Sequence, residues 1–300
     1  MKKISYVLLL LFCFSSFAQN ANTNIKVWMS LQDAISTQQQ VTQLNIRDQF
    51  HFIIPSEVSR LKSLKFLNLM RNNIEFLECS IFDLKELEVL ILNQNAIKYL
   101  PKDISKIKNL KKLDLGLNKL STIPESIGDL KKLEYLYLSS NTITHLPNAL
   151  GLCKNLAFLD LDSNQLSQLP NSFYKLKKLK KLNLSGNQFY EMDRRWFNLK
   201  ELIELNLENN QLSYFPENLG NLKNLEILIV NNNILKEVPS GITNLEKLSY
   251  LSLANNQIKQ LPSDINQLQN LRTLVLAGNS INKLEQDRIK QALPNCAIYF

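Results

Sequence analysis

The hydrophobic positions of the chain follow a pattern that repeats every 23 residues, eleven times between Val41 and Leu284, without insertion or deletion. The position that anchors the pattern holds Val41, Leu64, Leu87, Leu110, Leu133, Leu156, Leu179, Leu202, Leu225, Leu248 and Leu271. A period of this length is typical of a solenoid, in which each unit buries its apolar face against its neighbours. We therefore expect one continuous stack with a long accessible surface of the kind that usually binds a partner.

Each repeat contains a short alternation of apolar and polar residues, which predicts a β-strand. In the fifth repeat, Leu136 and Leu138 would face the core while Tyr135 and Tyr137 face outward. Identical strands of neighbouring repeats lie side by side and predict a parallel sheet. The return segment, which begins at Pro147, is short and carries proline in eight of the eleven repeats, so we expect irregular or 3₁₀ structure there.

An asparagine ends the predicted strand in ten of the eleven repeats, and Gln49 stands there in the first. The ten are Asn72, Asn95, Asn118, Asn141, Asn164, Asn187, Asn210, Asn233, Asn256 and Asn279. A side-chain amide both donates and accepts hydrogen bonds, so it can satisfy backbone groups of a tight turn that water does not reach. We interpret this column of asparagines as structural.

The repeat pattern LxxLxLxxNxIxxLPxxIxxLxxL resembles the leucine-rich-repeat family, in particular its typical 23-residue class and the secreted bacterial members rich in Leu-Pro. The resemblance covers nearly the whole chain after its first residues. It implies an α/β fold, a horseshoe-shaped solenoid with a concave parallel β-sheet and a convex side of short loops and 3₁₀ turns. It also implies a role in binding.

Both ends of the stack need caps, because an open solenoid end exposes core. Val27 to Gln40 is predicted to form an amphipathic helix that begins with a capping box at Ser30 and Asp33. Gln286 to Leu293 predicts a second helix, followed by a strand-like edge over residues 297–300. We divide the chain into a signal peptide (1–18), an N-terminal helical cap (19–40), eleven repeats (41–284) and a C-terminal cap (285–300). No separate catalytic domain is expected after the second cap.

The first residues have the features of a secretory signal peptide. Lys2 and Lys3 precede an apolar run from Tyr6 to Phe14, and residues 16–18 (Ser-Phe-Ala) predict cleavage before Gln19. An uncleaved membrane anchor and a lipoprotein modified at Cys13 are weaker alternatives. We therefore expect an exported protein, either periplasmic, at the cell surface or secreted, that is not an integral membrane protein.

The cysteines do not predict a disulfide framework. Three remain after the leader, an odd number, and Cys79 lies three repeats from Cys153. Three strand spacings are about 14 Å, beyond the roughly 7 Å that a disulfide tolerates between Cα atoms. Cys153 occupies a column otherwise held by Leu or Ile, so we expect it to be a small buried hydrophobe.

The outward strand positions predict a binding surface on the concave face. Its centre combines aromatic side chains with carboxylates, namely Tyr135, Tyr137, Phe158, Asp114, Asp160 and Asp162. Two further apolar groups flank this centre: Phe66, Val89 and Ile91 early in the stack, and Ile227, Ile229 and Tyr250 late in it. Clustered aromatics on a solvated sheet resemble the hot spots of protein interfaces. The alternative is that aromatic residues simply suit strands.

A column of lysines offers a different function. The chain carries a net charge of +8, and one position just before the strand holds Lys62, Lys85, Lys108, Lys131, Lys154, Lys177, Lys200 and Lys223. Such a ladder along one edge of the sheet could bind a polyanion or glycan. It could also serve solubility alone, because lysine stems cover apolar surface while the ammonium stays hydrated. Nucleic acid is not expected, since an exported protein rarely meets it.

Catalysis and metal binding find little support in the sequence. The only histidines, His51 and His145, lie four repeats apart, and no Cys/His cluster predicts a metal site. Asp160 and Asp162 share a face at about 7 Å, but we expect an open, wet sheet to leave both carboxyl groups without a raised pKa. The sequence thus predicts a non-enzymatic binding protein without cofactor, whose partner is a protein of unknown identity. The oligomeric state is left open.

Overall fold

A computed structural model describes residues 21–300 as a solenoid built on one parallel sheet. Its twelve strands lie in chain order: β1 (Gln43–Asn45), β2 (Phe66–Asn68), β3 (Val89–Ile91), β4 (Lys112–Asp114), β5 (Tyr135–Tyr137), β6 (Phe158–Asp160), β7 (Lys181–Asn183), β8 (Glu204–Asn206), β9 (Ile227–Ile229), β10 (Tyr250–Ser252), β11 (Thr273–Val275) and β12 (Ala297–Tyr299). From β1 to β11 each residue pairs with the residue 23 positions later, for example Tyr135 with Phe158. The predicted fold class is confirmed.

The core lies between the sheet and the return segments, and it runs unbroken along the stack. The inward residue of each strand is leucine in β1 to β11, and Leu113, Leu136 and Leu159 are all fully buried. Apolar residues occupy equivalent positions in every repeat, so each inward leucine packs on the equivalent leucines of the preceding and following repeats. Burial of these columns is the main source of the stack's stability.

The convex side consists of short 3₁₀ segments. They span Ser56–Arg60, Cys79–Asp83, Lys102–Lys106, Glu125–Asp129, Asn148–Leu152, Phe173–Lys175, Arg194–Asn198, Glu217–Asn221, Ser240–Asn244 and Ile265–Gln267. Proline precedes the first residue in six of them, where its fixed φ suits the start of a turn and its missing N–H needs no acceptor. A 3₁₀ segment is rarely longer than a few residues, so the return side stays compact.

The asparagine column forms the predicted hydrogen-bond ladder. The Asn164 amide nitrogen donates to the carbonyl oxygens of Leu161 in its own turn (3.1 Å) and Leu138 in the preceding repeat (3.0 Å). Its carbonyl oxygen accepts from the backbone N–H of Ile143 at 3.0 Å. The residue before each asparagine adopts a left-handed conformation, with φ of 54° at Ser163. The side chain thus satisfies the polar backbone of a turn that faces the core.

The ends of the stack differ in detail from the sequence prediction. Helix α1 covers only Leu31–Ser36, because Trp28 instead extends the sheet by pairing with Leu44. Ser30 caps α1 as expected, its Oγ accepting from the Asp33 N–H at 3.3 Å. Helix α2 spans Lys283–Ala292 and begins earlier than predicted, since the side chain of Asn282 already caps the N–H of Glu285.

The cysteines form no disulfide within residues 21–300, in agreement with the sequence prediction. Cys79, Cys153 and Cys296 are all free, and Cys153 is fully buried as expected. Burial raises the pKa of the Cys153 thiol to about 11, which is typical of an unreactive core residue.

Within residues 21–300, no helix is both long enough and apolar enough to span a bilayer. The predicted leader, residues 1–18, lies outside the described residues.

Candidate functional site

The concave face is the side of the sheet turned away from the core. It is formed by the outward residues of the strands and by the residue two positions after each strand. Because the register is regular, residues 23 apart lie on neighbouring strands, roughly 4.8 Å from each other. Tyr135 therefore neighbours Phe158, and Tyr137 neighbours Asp160. The predicted central residues do come together on three adjacent strands, β4 to β6.

Aromatic contacts organise the centre of this face. The rings of Tyr137 and Phe158 pack with centroids 4.8 Å apart and a tilt of 33°. The Nζ of Lys112 lies 4.9 Å from the centroid of the Tyr137 ring, in the geometry of a cation–π contact. Tyr135 stands at the same surface and is 37% exposed. We call Tyr135, Tyr137, Phe158, Asp114, Asp160 and Asp162 the central cluster.

The prediction that the whole central cluster is solvated is wrong for two of its members. Tyr137 is only 7% exposed and Asp114 only 3%. The cause is crowding, because large side chains on strands about 4.8 Å apart cover the middle column of the sheet. Phe158, Asp160 and Asp162 are half-buried. A partner can thus reach Tyr135, Phe158 and the two later carboxylates, whereas Tyr137 and Asp114 form the floor beneath them.

The two aspartates of the middle column also have a structural role. Asp114 Oδ1 accepts from the backbone N–H of Gly116 at 3.1 Å. Asp160 Oδ1 accepts in the same way from the N–H of Asp162 at 3.2 Å. Asn68 and Asn206 make the equivalent bond elsewhere in the stack. Sequence analysis missed this role, although the Asx residues that recur in this column were a readable signal.

Burial shifts the pKa values of two members of the central cluster and of the neighbouring Lys112, contrary to the sequence expectation of an open, wet sheet. Burial raises the pKa of the Asp160 carboxyl to about 6, against the lowering effect of its hydrogen bonds to Asp162, Ser139 and Asn183. Burial also lowers the pKa of the Lys112 ammonium to about 8, and the neighbouring Asp114 counteracts this shift. The Tyr137 hydroxyl has a raised pKa for the same reason. The Asp160 carboxylate is therefore partly desolvated.

The late apolar group forms a separate hydrophobic cluster on the concave face, distinct from the main core. Ile229, Tyr250 and Val275 are buried in it, and Ile227 and Ala254 are half-buried against them. The expectation that Ile229 and Tyr250 are freely exposed is therefore wrong, because these side chains cover one another. We call these five residues the late apolar floor.

The early apolar group is covered in the same way. Phe66 is 6% exposed and Ile91 is 1% exposed, so the prediction that both are accessible is wrong as well. Val89 is half-buried; it lies opposite Phe66 in the register of the sheet and two residues before Ile91 on β3. Of these three residues, a partner can therefore reach mainly Val89.

Further polar contacts lie between the central cluster and the late apolar floor. Lys181 and Glu204, on neighbouring strands, form an ion pair with an N–O distance of 2.7 Å. Asn231 accepts from the Ser252 hydroxyl at 2.6 Å and from the Ala254 N–H at 2.9 Å. Sequence analysis did not single out these residues, although the opposite charges of Lys181 and Glu204 stand 23 positions apart, which is the signal for a cross-strand pair.

The predicted lysine ladder is exposed at all eight positions. Five of its ammonium groups donate to backbone carbonyl oxygens of the 3₁₀ segments: those of Lys85, Lys131, Lys177, Lys200 and Lys223. The Lys85 Nζ, for example, lies 2.7 Å from the carbonyl oxygen of Phe82. These carbonyls belong to the last turn of a short helix, which has no internal partner for them. The ladder therefore satisfies the backbone of the convex side.

The histidines stay apart and form no site with other ligands. His51 is half-buried, its ring contacts the side-chain oxygen of Gln49 at 3.2 Å, and burial lowers its pKa. His145 contacts the hydroxyl of Thr144 at 3.0 Å. Over residues 21–300, no group of three His, Cys, Asp or Glu side chains could hold a metal ion.

Comparisons with known proteins agree with the repeat pattern. The model described as "Leucine rich repeat" matches residues 62–120, 85–143 and 223–281, and the model described as "Leucine-rich repeat region" matches residues 118–231. Together these matches run without a gap from residue 62 to residue 281. No curated protein matches the chain.

Solved structures supply several likenesses. A leucine-rich-repeat protein of Leptospira interrogans is 31% identical, with 87% of this chain and 84% of that chain covered and a TM-score of 0.55. A TDR receptor is 30% identical over 92% of this chain and 50% of its own, with a TM-score of 0.79. The plant peptide hormone receptor RGFR1, in complex with RGF2, is 25% identical over 80% of this chain and 51% of its own, with a TM-score of 0.57. The chain thus spans about half the length of the two receptors.

Proposed function

Since the chain belongs to the leucine-rich-repeat family, we propose that it is an exported, non-enzymatic binding protein that recognises a protein partner through its concave face. The family supplies scaffolds that commonly mediate protein–protein interactions. RGFR1 is a receptor in complex with RGF2, which makes a polypeptide partner a reasonable proposal for this chain too.

One observation carries the proposal: several aromatic and apolar side chains of the concave face keep part of their surface accessible above a floor of buried ones. Tyr135 is 37% exposed, and Phe158, Val89 and Ile227 are half-buried. Clustered apolar surface of this kind on a soluble protein usually marks a binding site. The central cluster therefore forms the middle of the proposed interface, with the early and late apolar groups on either side.

Export and the division of the chain complete the proposal. The leader of residues 1–18, the caps of residues 19–40 and 285–300 and the repeats of residues 41–284 remain predictions. Export would place the protein in the periplasm, at the cell surface or in the medium. Cleavage before Gln19 can be checked by the N-terminal sequence of the secreted or periplasmic form.

Polyanion or glycan adhesion through the lysine ladder is less well supported. The five lysines that donate to 3₁₀ carbonyls already have a structural role. Exposed ammonium groups also bind polyanions weakly once salt screens them. We therefore keep this function as an outcome of the binding test.

A capture experiment tests the concave face. The immobilised protein is exposed to envelope and culture proteins of its own cell and to host extracts, beside a Tyr135→Ser/Phe158→Ser variant. Tyr135 is exposed and Phe158 is half-buried outside the main core, so their replacement should remove partner binding while the variant stays folded, which its melting curve checks. A species retained at moderate salt by the native protein, and lost from the variant, supports the proposal.

A matched control shows whether the loss of binding is specific to tyrosine and phenylalanine on the concave face or follows from the loss of any exposed aromatic side chain. Tyr190 and Tyr214 are 57% and 43% exposed and lie outside the concave face. A Tyr190→Ser/Tyr214→Ser variant should retain the same partner. Equal retention of the partner by all three proteins would contradict the proposal. Release of the partner by a modest rise in salt concentration would instead indicate polyanion or glycan binding by the lysine ladder.

A further inference from the structure

We infer, on the basis of the proposed function, that the partner presents an extended basic segment to the concave face. Two cationic side chains of this segment would bind the carboxylates of Asp162 and Glu208. An apolar side chain farther along would pack on the late apolar floor, at Ala254. The inference rests on the charges of the face, their spacing and the order of the surfaces along the stack.

The charge of the concave face is opposite to that of the whole protein. Lys112 lies beside Asp114, and Lys181 is paired with Glu204. Three more carboxylates, Asp160, Asp162 and Glu208, belong to the same stretch of the face, and none forms an ion pair with another part of residues 21–300. The chain as a whole carries a net charge of +8. This local excess of negative charge makes the face complementary to a basic partner.

Neutral hydrogen bonds hold the two outer carboxylates in position. Asp162 accepts from the Ser163 hydroxyl at 2.9 Å. Glu208 accepts from the side-chain amides of Asn231 and Asn232, both at 3.4 Å. Half-burial reduces the hydration of both groups. A carboxylate that is already oriented and partly dehydrated gains more from a cation than one that is free in water.

The spacing of the carboxylates fits an extended segment. Asp162 and Glu208 occupy the same position in repeats two apart, and their separation is thus about 10 Å at the spacing of parallel strands. A polyproline-II segment returns to the same face every third residue and advances about 9 Å in doing so. Lys or Arg at positions i and i+3 of such a segment would meet Asp162 and Glu208 in turn.

The apolar surface lies in line with these carboxylates. Strand β8 pairs with β9 at an offset of 23 residues, so the neighbour of Glu208 in the next repeat is Asn231. The repeat of strand β10 continues this column with Ala254, a half-buried member of the late apolar floor. A segment that crosses the strands from Asp162 to Glu208 therefore continues onto the late apolar floor. An aliphatic or aromatic side chain about one turn after the second cation would contact it.

Peptide selection tests the inference. Phage that display random peptides of about twelve residues, long enough to span about 37 Å as polyproline II, are selected on the full-length protein at moderate salt. We expect the recovered sequences to carry two Lys or Arg residues three positions apart, followed by an apolar residue. An Asp162→Asn/Glu208→Gln variant, which preserves size and hydrogen bonding, should bind a recovered peptide about tenfold more weakly.

The control variant carries the same charge change away from the face. Asp129 and Glu237 are exposed outside the concave face, so an Asp129→Asn/Glu237→Gln variant should bind the peptide with unchanged affinity. Acidic or uncharged peptides that are lost from the Tyr135→Ser/Phe158→Ser variant would overturn the inference and leave the proposed function intact. Peptides that bind that variant as well, or no recovered peptide at all, would count against both.

Discussion

At the scale of single residues, the stack buries, wholly or in part, two kinds of polar side chain: the asparagines of the ladder, which are neutral, and Asp160 of the central cluster, which is ionisable. Asn164 is fully satisfied, with hydrogen bonds to carbonyl oxygens and an N–H of its own and the preceding repeat. Asp160 is satisfied only in part, because burial opposes its charge. Replacement of the first should therefore be costly, whereas neutralisation of the second should be favourable.

Loss of the ladder asparagine should destabilise the protein strongly. Asn164→Ala leaves the N–H of Ile143 without its partner and removes one of the two amide donors to the carbonyl of Leu138, at a cost of about 3 kcal/mol in the free energy of unfolding. Asn155 is the matched control, since its amide donates to Lys131 at the surface and its loss should cost about 0.5 kcal/mol or less. Urea unfolding of both variants checks the difference, and equal losses would contradict the buried role of the ladder.

Neutralisation of Asp160 should make stability depend less on pH. Its folded pKa of about 6 lies above the ordinary value of 3.8, so the folded protein binds the proton more tightly and loses stability as pH rises through that interval. Asp160→Asn should thus raise the free energy of unfolding at neutral pH by about 1–2 kcal/mol. The gain should vanish towards pH 4 in urea unfolding series. A gain that is constant with pH would show that the shift is absent.

At the scale of the repeat, close approach of the 3₁₀ segments sets a limit on side-chain size. A Cβ atom on Gly151 would lie 2.5 Å from the backbone oxygen of Ser172 in the next repeat. Gly128 meets the backbone of Ala149 at the same distance. The convex side is therefore packed as tightly as the sheet, and these glycines allow neighbouring repeats to approach.

Gly151→Ala should consequently weaken the contact between its repeat and the next. Because the clash involves backbone, relief requires the two segments to move apart, and we expect a loss of about 1–3 kcal/mol. Gly116→Ala is the control, since its nearest neighbour is the rotatable Ser139 hydroxyl at 3.1 Å. Melting temperatures of the two variants test this; a Gly151→Ala protein as stable as the native form would show that the repeats can separate without cost.

At the scale of the whole molecule, the stack depends on closure of its last repeat. Strand β12 pairs with β11, and helix α2 covers the core with Ile289, which is fully buried. The stack is therefore a single cooperative structure only while its end is protected from water.

A substitution inside this cap should therefore affect the whole protein. Ile289→Ser removes a buried side chain and introduces a hydroxyl, with an expected loss of about 3 kcal/mol or more. Leu284, on the same helix, is 83% exposed, and Leu284→Ser should leave stability nearly unchanged. Differential scanning calorimetry with size-exclusion chromatography would detect both unfolding and association through an exposed end. Equal melting temperatures would contradict the capping role of α2.

The amino-acid sequence by itself determined the repeat, the direction of the strands, the asparagine ladder and the members of the concave face. These follow from a strict 23-residue period, because side chains at equal positions of a solenoid meet their equivalents. Only the tertiary structure decided which outward residues are accessible. Tyr137, Asp114, Ile229 and Tyr250 are buried by neighbours on adjacent strands, and burial depends on the size of side chains 23 residues away. For the same reason, the raised pKa of Asp160 and the structural role of the lysines were decided in three dimensions, where distances between repeats set desolvation and hydrogen bonding.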